Sequence, residues 1–296
     1  MTTTIHDWIN HDAIRQYSHT TFHQLCQTIQ DLYPQSTDIE KTLQNAMNGP
    51  LQTLSHPLIS HQHYTTCHST QDLAKDYLMC EDQPALFTTD YQHNGYGRNG
   101  RWHGSFGQHI QASWVIPKIS SPMPISMMVC YQIFSYLSPL IKGAKLSLKW
   151  PNDILIDDKK VTGIIAESSA CDKFWIIGVG LNLSQDEDLQ PTTQSSFYPT
   201  YLDRWAHTPS RGQILSDLTD IIAQHLDAAS PIHHVKIHEE WNKHDHFINQ
   251  YVRSTDRHIE GIGCGIKQQG HYIIAQDSEI LTPIFSGRIQ IVQPSS

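Results

Sequence analysis

Between residues 91 and 151 the chain carries six cations, Arg98, Arg101, Lys118, Lys142, Lys145 and Lys149, and no Asp or Glu, although the whole protein has a net charge of −9. Two short stretches concentrate them. Gly95-Tyr96-Gly97-Arg98-Asn99-Gly100-Arg101-Trp102 is a glycine-rich loop with two guanidinium groups, and Lys149-Trp150-Pro151-Asn152-Asp153 places a lysine at the end of an apolar run before a proline. Glycine lets the backbone approach a phosphate, arginine offers a bidentate fork, and lysine supplies a point charge. A cationic island in an acidic chain implies a local anionic ligand rather than general affinity for polyanions, and the composition of the island suits a nucleotide.

The loop also spells GxGxxG. A dinucleotide fingerprint requires a helix that starts within the glycines and an acid about 20 residues later. Here Trp102-His103-Gly104-Ser105-Phe106-Gly107 follows, and no acid appears before Asp153, so a Rossmann site is rejected.

The elements that must position these groups read as α/β. A helix is expected over 69–79, capped by Ser69 or Thr70. Strands are expected over 85–90, 110–117, 145–150, 159–168 and 174–183, with the acidic turn Asp157-Asp158 closing a hairpin. An apolar helix is expected over 123–140, and further helices over 212–227 and 234–243. Upstream, 21–31 and 38–47 carry helical spacing, the second ended by Asn48-Gly49-Pro50. From Phe247 onward, short β-rich runs are punctuated by Gly261, Gly263, Gly265, Gly270 and Gly287.

Taken in order and spacing, Cys67-His68-Ser69-Thr70-Gln71-Asp72, Tyr91-Gln92, Gly95 to Trp102, Lys149 to Asp153, Lys160-Val161-Thr162-Gly163 and Gly178-Val179-Gly180-Leu181-Asn182 resemble biotin protein ligases. Phe247-Ile248-Asn249 and Gly261-Ile262-Gly263-Cys264-Gly265-Ile266 resemble the small C-terminal domain of the same family, so the likeness covers residues 64 to 293. It implies three units: a helical domain over 1–62, a class II synthetase-like catalytic domain with a mixed sheet over 63–246, and an SH3-like β-barrel over 247–296. It also implies the activity. Biotin is activated by ATP, with Mg2+, to biotinyl-5′-AMP and then transferred to a lysine of the biotin carboxyl carrier domain of a biotin-dependent carboxylase. A carboxylate is already nucleophilic at neutral pH, so the barrier is electrostatic and fixed cations carry the catalysis.

The resemblance assigns Ser69, Thr70 and Gln71 to the biotin pocket, although helix capping accounts for the hydroxyls equally well. Gln92, Tyr96, Gly97 and Arg98 would hold the biotin carboxylate and cover the adenylate, with Arg98 also catalytic. Lys160 would contact biotin, or stand as solvated charge after a turn. Lys149 is the expected catalytic cation, because an unpaired ammonium ending an apolar strand is costly to bury. Arg101, Trp102 and Asn182 would touch the nucleotide. Asn152 and Asp153 would position Lys149 and the metal-triphosphate, or simply complete a Pro-Asn-Asp turn. Three departures stand out: Tyr96 occupies a position that is usually arginine, Asn99 one that is often basic, and Trp102 follows Arg101 directly, so the loop is one residue short.

Composition narrows the remaining classes. The six cysteines are dispersed without a CxxC pair, which points to neither a disulfide framework nor a zinc ribbon, and the 20 histidines lack ligand spacing, so no metal site is expected. His61/His63 and His233/His234 read as surface or packing residues. Residues 1–7 have no basic or apolar leader, and the chain has no apolar run near 18 residues, so a cytoplasmic location without a membrane span is expected. Residues 1–62 hold Arg15 and Lys41 against Asp7, Asp12, Asp31, Asp38 and Glu40, too few cations for a DNA reader. A degenerate or repurposed winged-helix-like unit is therefore favoured over an operator-binding one, and homodimerisation is left open. The alternatives are a lipoate or octanoyl ligase of the same fold and a biotin-responsive regulator.

Overall fold

A computed structural model describes residues 54–98, 100–101, 106–121, 123–184, 198–224, 234–276 and 280–294, together with Gln27 and Asp31. The expected helices over 21–31 and 38–47 fall outside these residues apart from Gln27 and Asp31, which are both helical.

The larger unit is a seven-stranded mixed sheet. In chain order its strands are β1 (Ser60–Cys67), β2 (Ala85–Gln92), β5 (His109–Pro117), β6 (Leu146–Lys149), β7 (Asp153–Ile156), β8 (Lys159–Ser168) and β9 (Phe174–Asn182). The spatial order is β1-β2-β5-β9-β8-β7-β6, with β1 and β2 parallel and the other neighbours antiparallel. A two-stranded ribbon, β3 (Tyr96–Gly97) and β4 (Gly100–Arg101), projects from the glycine loop.

Period-2 alternation decides what each face does. On β5, Ile110, Ala112, Trp114 and Ile116 join a core with Val179, Leu181 and Ile164 and with helices α2 (Ile125–Leu137) and α3 (Arg211–Ala223). The other β5 face carries His109, Gln111 and Ser113, which are also buried. Helix α1 (Thr70–Tyr77) crosses that second face, packing Leu73 and Ala74 on Phe87, Val115 and Ile176. The expected 69–79 helix starts one residue later because Ser69 is its extended N-cap, its Oγ accepting from Gln71 N at 3.2 Å.

Two strands of the seven-stranded sheet had no sequence expectation. β1 is a polar run whose side chains are satisfied by β2: His61 Nε2 lies 2.6 Å and His63 Nδ1 2.9 Å from Thr88 Oγ1. His63 Nε2 lies 3.1 Å from Asp90 Oδ2. Asp90 in turn takes a hydrogen bond from the buried Arg211, whose other nitrogens donate to Thr89 O and His109 O, both at 2.9 Å. Burial and the neighbouring His63 push the His61 ring down to about 4, so it stays neutral at physiological pH. The other is β7. The expected hairpin of 145–150 with 159–168 is a three-stranded meander, since Pro151-Asn152 turn the chain once and Asp157 and Asp158, with φ of 45° and 60°, turn it again.

After α4 (His234–His244), the chain forms a five-stranded antiparallel sheet in the order β13-β12-β11-β10-β14. Its strands are β10 (Tyr251–Ser254), β11 (Ile259–Ile266), β12 (Tyr272–Ala275), β13 (Leu281–Ile284) and β14 (Ile289–Ile291). It docks tightly on the larger unit. Trp150 Nε1 donates to Gly270 O at 2.9 Å, and His246 N donates to Leu148 O at 2.8 Å. Gly270 has φ +82°, and a Cβ there would lie 2.7 Å from Pro124 Cδ and 2.9 Å from Met127 Sδ, so glycine is required twice over.

At this junction Tyr272 Oη donates to Asp245 Oδ2 at 2.6 Å. Burial pushes the Asp245 carboxyl up to about 7, hydrogen bonds from Tyr272, Phe247 N and Trp241 only partly opposing it. A raised carboxyl pKa means that the folded protein binds a proton the unfolded chain has released. Stability from this group is therefore full below the ordinary carboxylate range and lost as pH rises toward 7. The difference in denaturant midpoint between wild type and Asp245→Asn, in which the opposite contribution of the depressed His61 ring cancels, should move against the wild type as pH rises from 4.5 to 7.5.

Candidate functional site

The site is built on the α1 face of the sheet, where glycine replaces side chains. The register Gln111↔Gly180↔Gly163↔Asp153↔Lys149 runs across β5, β9, β8, β7 and β6. One pleat away, Ser113 pairs with Gly178 and Phe87. One pleat the other way, His109 pairs with Asn182.

Asp153 is the centre. Lys149 Nζ donates to its Oδ2 at 2.7 Å, and Lys160 Nζ lies 2.6 Å from its Oδ1. Burial would raise this carboxyl, but the Lys149 and Lys160 ammoniums outweigh it and hold the group ionised well below the usual carboxylate range. The cluster therefore keeps one surplus positive charge. Lys149 is not the unpaired ammonium that its sequence setting suggests; it is paired across the hairpin with the residue four positions on. Asn152 commits its amide to Ile164 O, and Ile164 N returns a bond to Asn152 O at 3.0 Å, fastening the β6–β7 turn to β8. Gly163 is what makes room: a Cβ there would stand 2.7 Å from Lys160 Nζ and 3.2 Å from Asp153 Oδ1.

A neutral hydrogen-bonding pocket adjoins the charges. Thr70 N and Thr70 Oγ1 donate to Gln92 Oε1 at 2.7 and 3.1 Å, and Ser113 Oγ donates to Thr70 Oγ1 at 2.8 Å. Gln71 reaches over Gly178, where a Cβ would come within 2.9 Å of its Oε1. Its Nε2 donates to Glu167 Oε2 at 2.7 Å, while its buried Oε1 has no partner among the described residues. Asn182 Oδ1 is likewise buried without one, its Nδ2 donating to Thr200 O at 3.1 Å.

The glycine loop is tied to this pocket through Tyr96. Lys75 Nζ donates to Tyr96 Oη at 2.7 Å and to Glu167 Oε1 at 3.1 Å, and Tyr96 Oη donates to Glu167 Oε2 at 3.0 Å. Lys75 also sits 5.2 Å over the Tyr96 ring. Burial pushes the Tyr96 phenol up to about 12, with Lys75 opposing the rise and Glu167 and Asp72 adding to it. Gly97 continues β3, and Arg98 at the turn is exposed yet within the field of the Asp153 and Asp256 carboxylates. Arg101 belongs to β4; Asn99 and Trp102 fall outside the described residues.

Thus Ser69, Thr70, Gln71, Gln92, Tyr96, Lys149, Asn152, Asp153, Lys160 and Asn182 fall on or beside one sheet face. Sequence reasoning missed Lys75, Glu167, Gln111 and Ser113. The polar alternation His109, Gln111, Ser113 was a readable signal that β5 has a second, polar face. Nothing in the sequence announced that α1 would bring Lys75 to Glu167, 92 residues away.

Among the described residues no three His, Cys, Asp or Glu groups stand together as metal ligands, and no helix is long and apolar enough to cross a membrane. Replacing Gly163 by alanine should displace the Lys160 ammonium from Asp153. The carboxyl then keeps one cation, so its titration midpoint should rise; carbon-13 NMR titration of Asp153 in the two proteins measures this, and an unmoved midpoint would show that Gly163 does not hold the pair.

Comparison with known proteins adds the following. Residues 64–182 match the family model described as Biotin/lipoate A/B protein ligase family. The chain is 28% identical over 218 residues to the bifunctional ligase/repressor BirA of Escherichia coli strain K12, covering 68% of this chain and 64% of that protein. It is 32% identical over 141 residues to the biotin--[acetyl-CoA-carboxylase] ligase of Mycobacterium tuberculosis, covering 45% of this chain and 50% of the relative. The chain therefore spans less than two thirds of the length of these relatives. Its fold matches the biotin protein ligase from Aquifex aeolicus in complex with biotin and ATP, with a TM-score of 0.63 at 21% identity over 78% of this chain and 99% of that one.

Proposed function

We propose that this chain, whose residues 64–182 belong to the biotin/lipoate A/B protein ligase family, activates biotin with ATP and transfers it to a lysine of a biotin carboxyl carrier domain. The observation that carries this reading is the Lys149–Asp153–Lys160 cluster on a glycine floor beside a neutral pocket lined by Thr70, Gln71 and Ser113. The ureido ring of biotin needs neutral donors and acceptors, and the carboxylate at the end of its side chain needs cations; the two environments adjoin in that order.

In the first step the biotin carboxylate oxygen attacks the α-phosphorus of ATP, a P–O bond forms, and the bond to the pyrophosphate oxygen breaks. Two anions must meet, and the surplus charge of the cluster offsets their repulsion. Asp153 holds both ammoniums in place, so their orientation requires no reorganisation during the reaction. Ser69, Thr70, Gln71 and Gln92 bind the ring; Tyr96, Gly97 and Arg98 cover the acyl-phosphate; Arg101, Trp102, Asn152 and Asn182 meet the nucleotide. Mg2+ enters with the triphosphate as part of the substrate, because Asp153 is already committed to two ammoniums. In the second step the carrier lysine, as free amine, attacks the acyl carbon; AMP leaves and the amide loses a proton.

The units proposed are a helical segment over 1–62, the catalytic domain over 63–246 and an SH3-like domain over 247–296, in a cytoplasmic enzyme with homodimerisation left open. ATP-dependent labelling of a biotin carboxyl carrier domain tests the whole reading, and a preference for lipoate over biotin would transfer it to the sister activity. Lys149→Ala should lower biotin-dependent pyrophosphate exchange at least 100-fold with unchanged circular dichroism, since Lys160 still neutralises Asp153. A rate within tenfold of wild type, about 1.4 kcal/mol of barrier, would reject the assignment. Lys149→Arg should restore little, because a broad fork does not replace a point charge.

The printed name of the Escherichia coli relative includes a repressor role. The two cations of residues 1–62 argue against one here. Fluorescence anisotropy with biotin-operon DNA, with and without biotinyl-5′-AMP, should show no salt-sensitive binding; sub-micromolar, sequence-selective binding would establish the regulator.

A further inference from the structure

We infer that Gln111 is a ligand-binding residue of this site, its side-chain amide donating to the carboxylate of biotin and then to the acyl-phosphate. The inference rests on the ligase reading and deepens it.

Gln111 is 1% exposed, and neither its Nε2 nor its Oε1 has a partner among the described residues. A buried primary amide left with no hydrogen bond is costly, and native proteins keep such groups chiefly where something else supplies the bond. Gln92 shows the contrast: it too is buried, and its Oε1 accepts from both Thr70 N and Thr70 Oγ1. Gln111 is not held by its surroundings in that way.

Its place in the sheet says what it meets. Gln111 pairs with Gly180, Gly180 with Gly163, and Gly163 with Asp153, so two glycines separate the amide from the charged cluster on one face. The Lys160 ammonium stands over Gly163. Gly180 lies between them and adds no side chain, one strand spacing of about 4.8 Å from each neighbour, which is room for a carboxylate that accepts from both sides. The pleat on one side carries Ser113, Gly178 and Gln71; the pleat on the other carries Asn182. At about 3.3 Å per residue these levels are about 7 Å apart, so a ligand lying along the strands meets a neutral pocket, then the Gln111–Lys160–Lys149 level, then Asn182. A neutral donor at the middle level adds a hydrogen bond to the anion without adding a further charge to a cluster that already has one in surplus.

Gln111→Met keeps the shape and removes the donor. Calorimetric titration of the full chain should show biotin binding weakened tenfold or more. Binding of an analogue with methyl in place of the carboxyl should change less than twofold. Gln111→Glu, which also keeps the shape, carries the test if the methionine variant does not fold: its biotin affinity should fall further and recover as pH drops through the carboxyl range. Biotin binding by Gln111→Met within twofold of wild type, or equal losses for both ligands, would overturn the role. Absence of biotin binding by the wild-type chain would remove the ligase reading itself, and this role with it.

Discussion

A carboxylate buried between two ammoniums organises this molecule. Asp153 could not remain ionised at its depth without Lys149 and Lys160, and neither lysine would hold a fixed direction without Asp153. Much of the local architecture follows from meeting that constraint. The β6–β7 hairpin must keep the register that sets Lys149 opposite Asp153, and β8 must present glycine at 163 so that Lys160 can fold back. The irregular pairing between Ile154 and Leu155 lets β8 deliver both Lys160 and Gly163 to the cluster. Directly below, the thiol of Cys130 in α2 is pushed well up by burial, with the Asp153 charge adding to the effect.

The same logic ties the C-terminal sheet to the site. Leu148 precedes Lys149 on β6, and its carbonyl accepts from His246 N, while Trp150 on the other side of Lys149 donates to Gly270 O. The strand that carries Lys149 is therefore gripped on both flanks by residues 246–270, and Tyr272 and Asp245 complete that seam. At the opposite end of the sheet, Arg211, Asp90 and His63 form a second buried ionic group. It faces α3 rather than the site, and it fastens a polar edge strand to the core.

Tyr96 gives the glycine loop a character its glycines alone would not. Its hydroxyl is shared among Lys75, Glu167 and Asp72, so the β3–β4 ribbon is anchored to α1 and β8. A guanidinium at this position could not accept a hydrogen bond from an ammonium such as Lys75, whereas a phenol accepts from it and donates onward to a carboxylate. Tyr96 therefore belongs to a network of its own.

What the sequence determined by itself was local. The cation island, the glycine loop, the caps and the period of the strands depend on residues a few positions apart, and from them the α/β class, helices near their observed bounds and most of the residues now proposed for the site could be read. β1 was hidden because its polar residues resemble a loop until β2 supplies Thr88 and Asp90, and β7 because four residues between two turns leave too short a pattern. Tertiary structure alone decided the partners. That Asp153 pairs with two lysines rather than standing as a turn residue, that Lys75 meets Glu167, and that the Gln111 amide finds no partner among the described residues depend on which strands lie side by side. Strand order arises from burial summed over the whole sheet, a non-directional quantity that no short stretch of residues encodes.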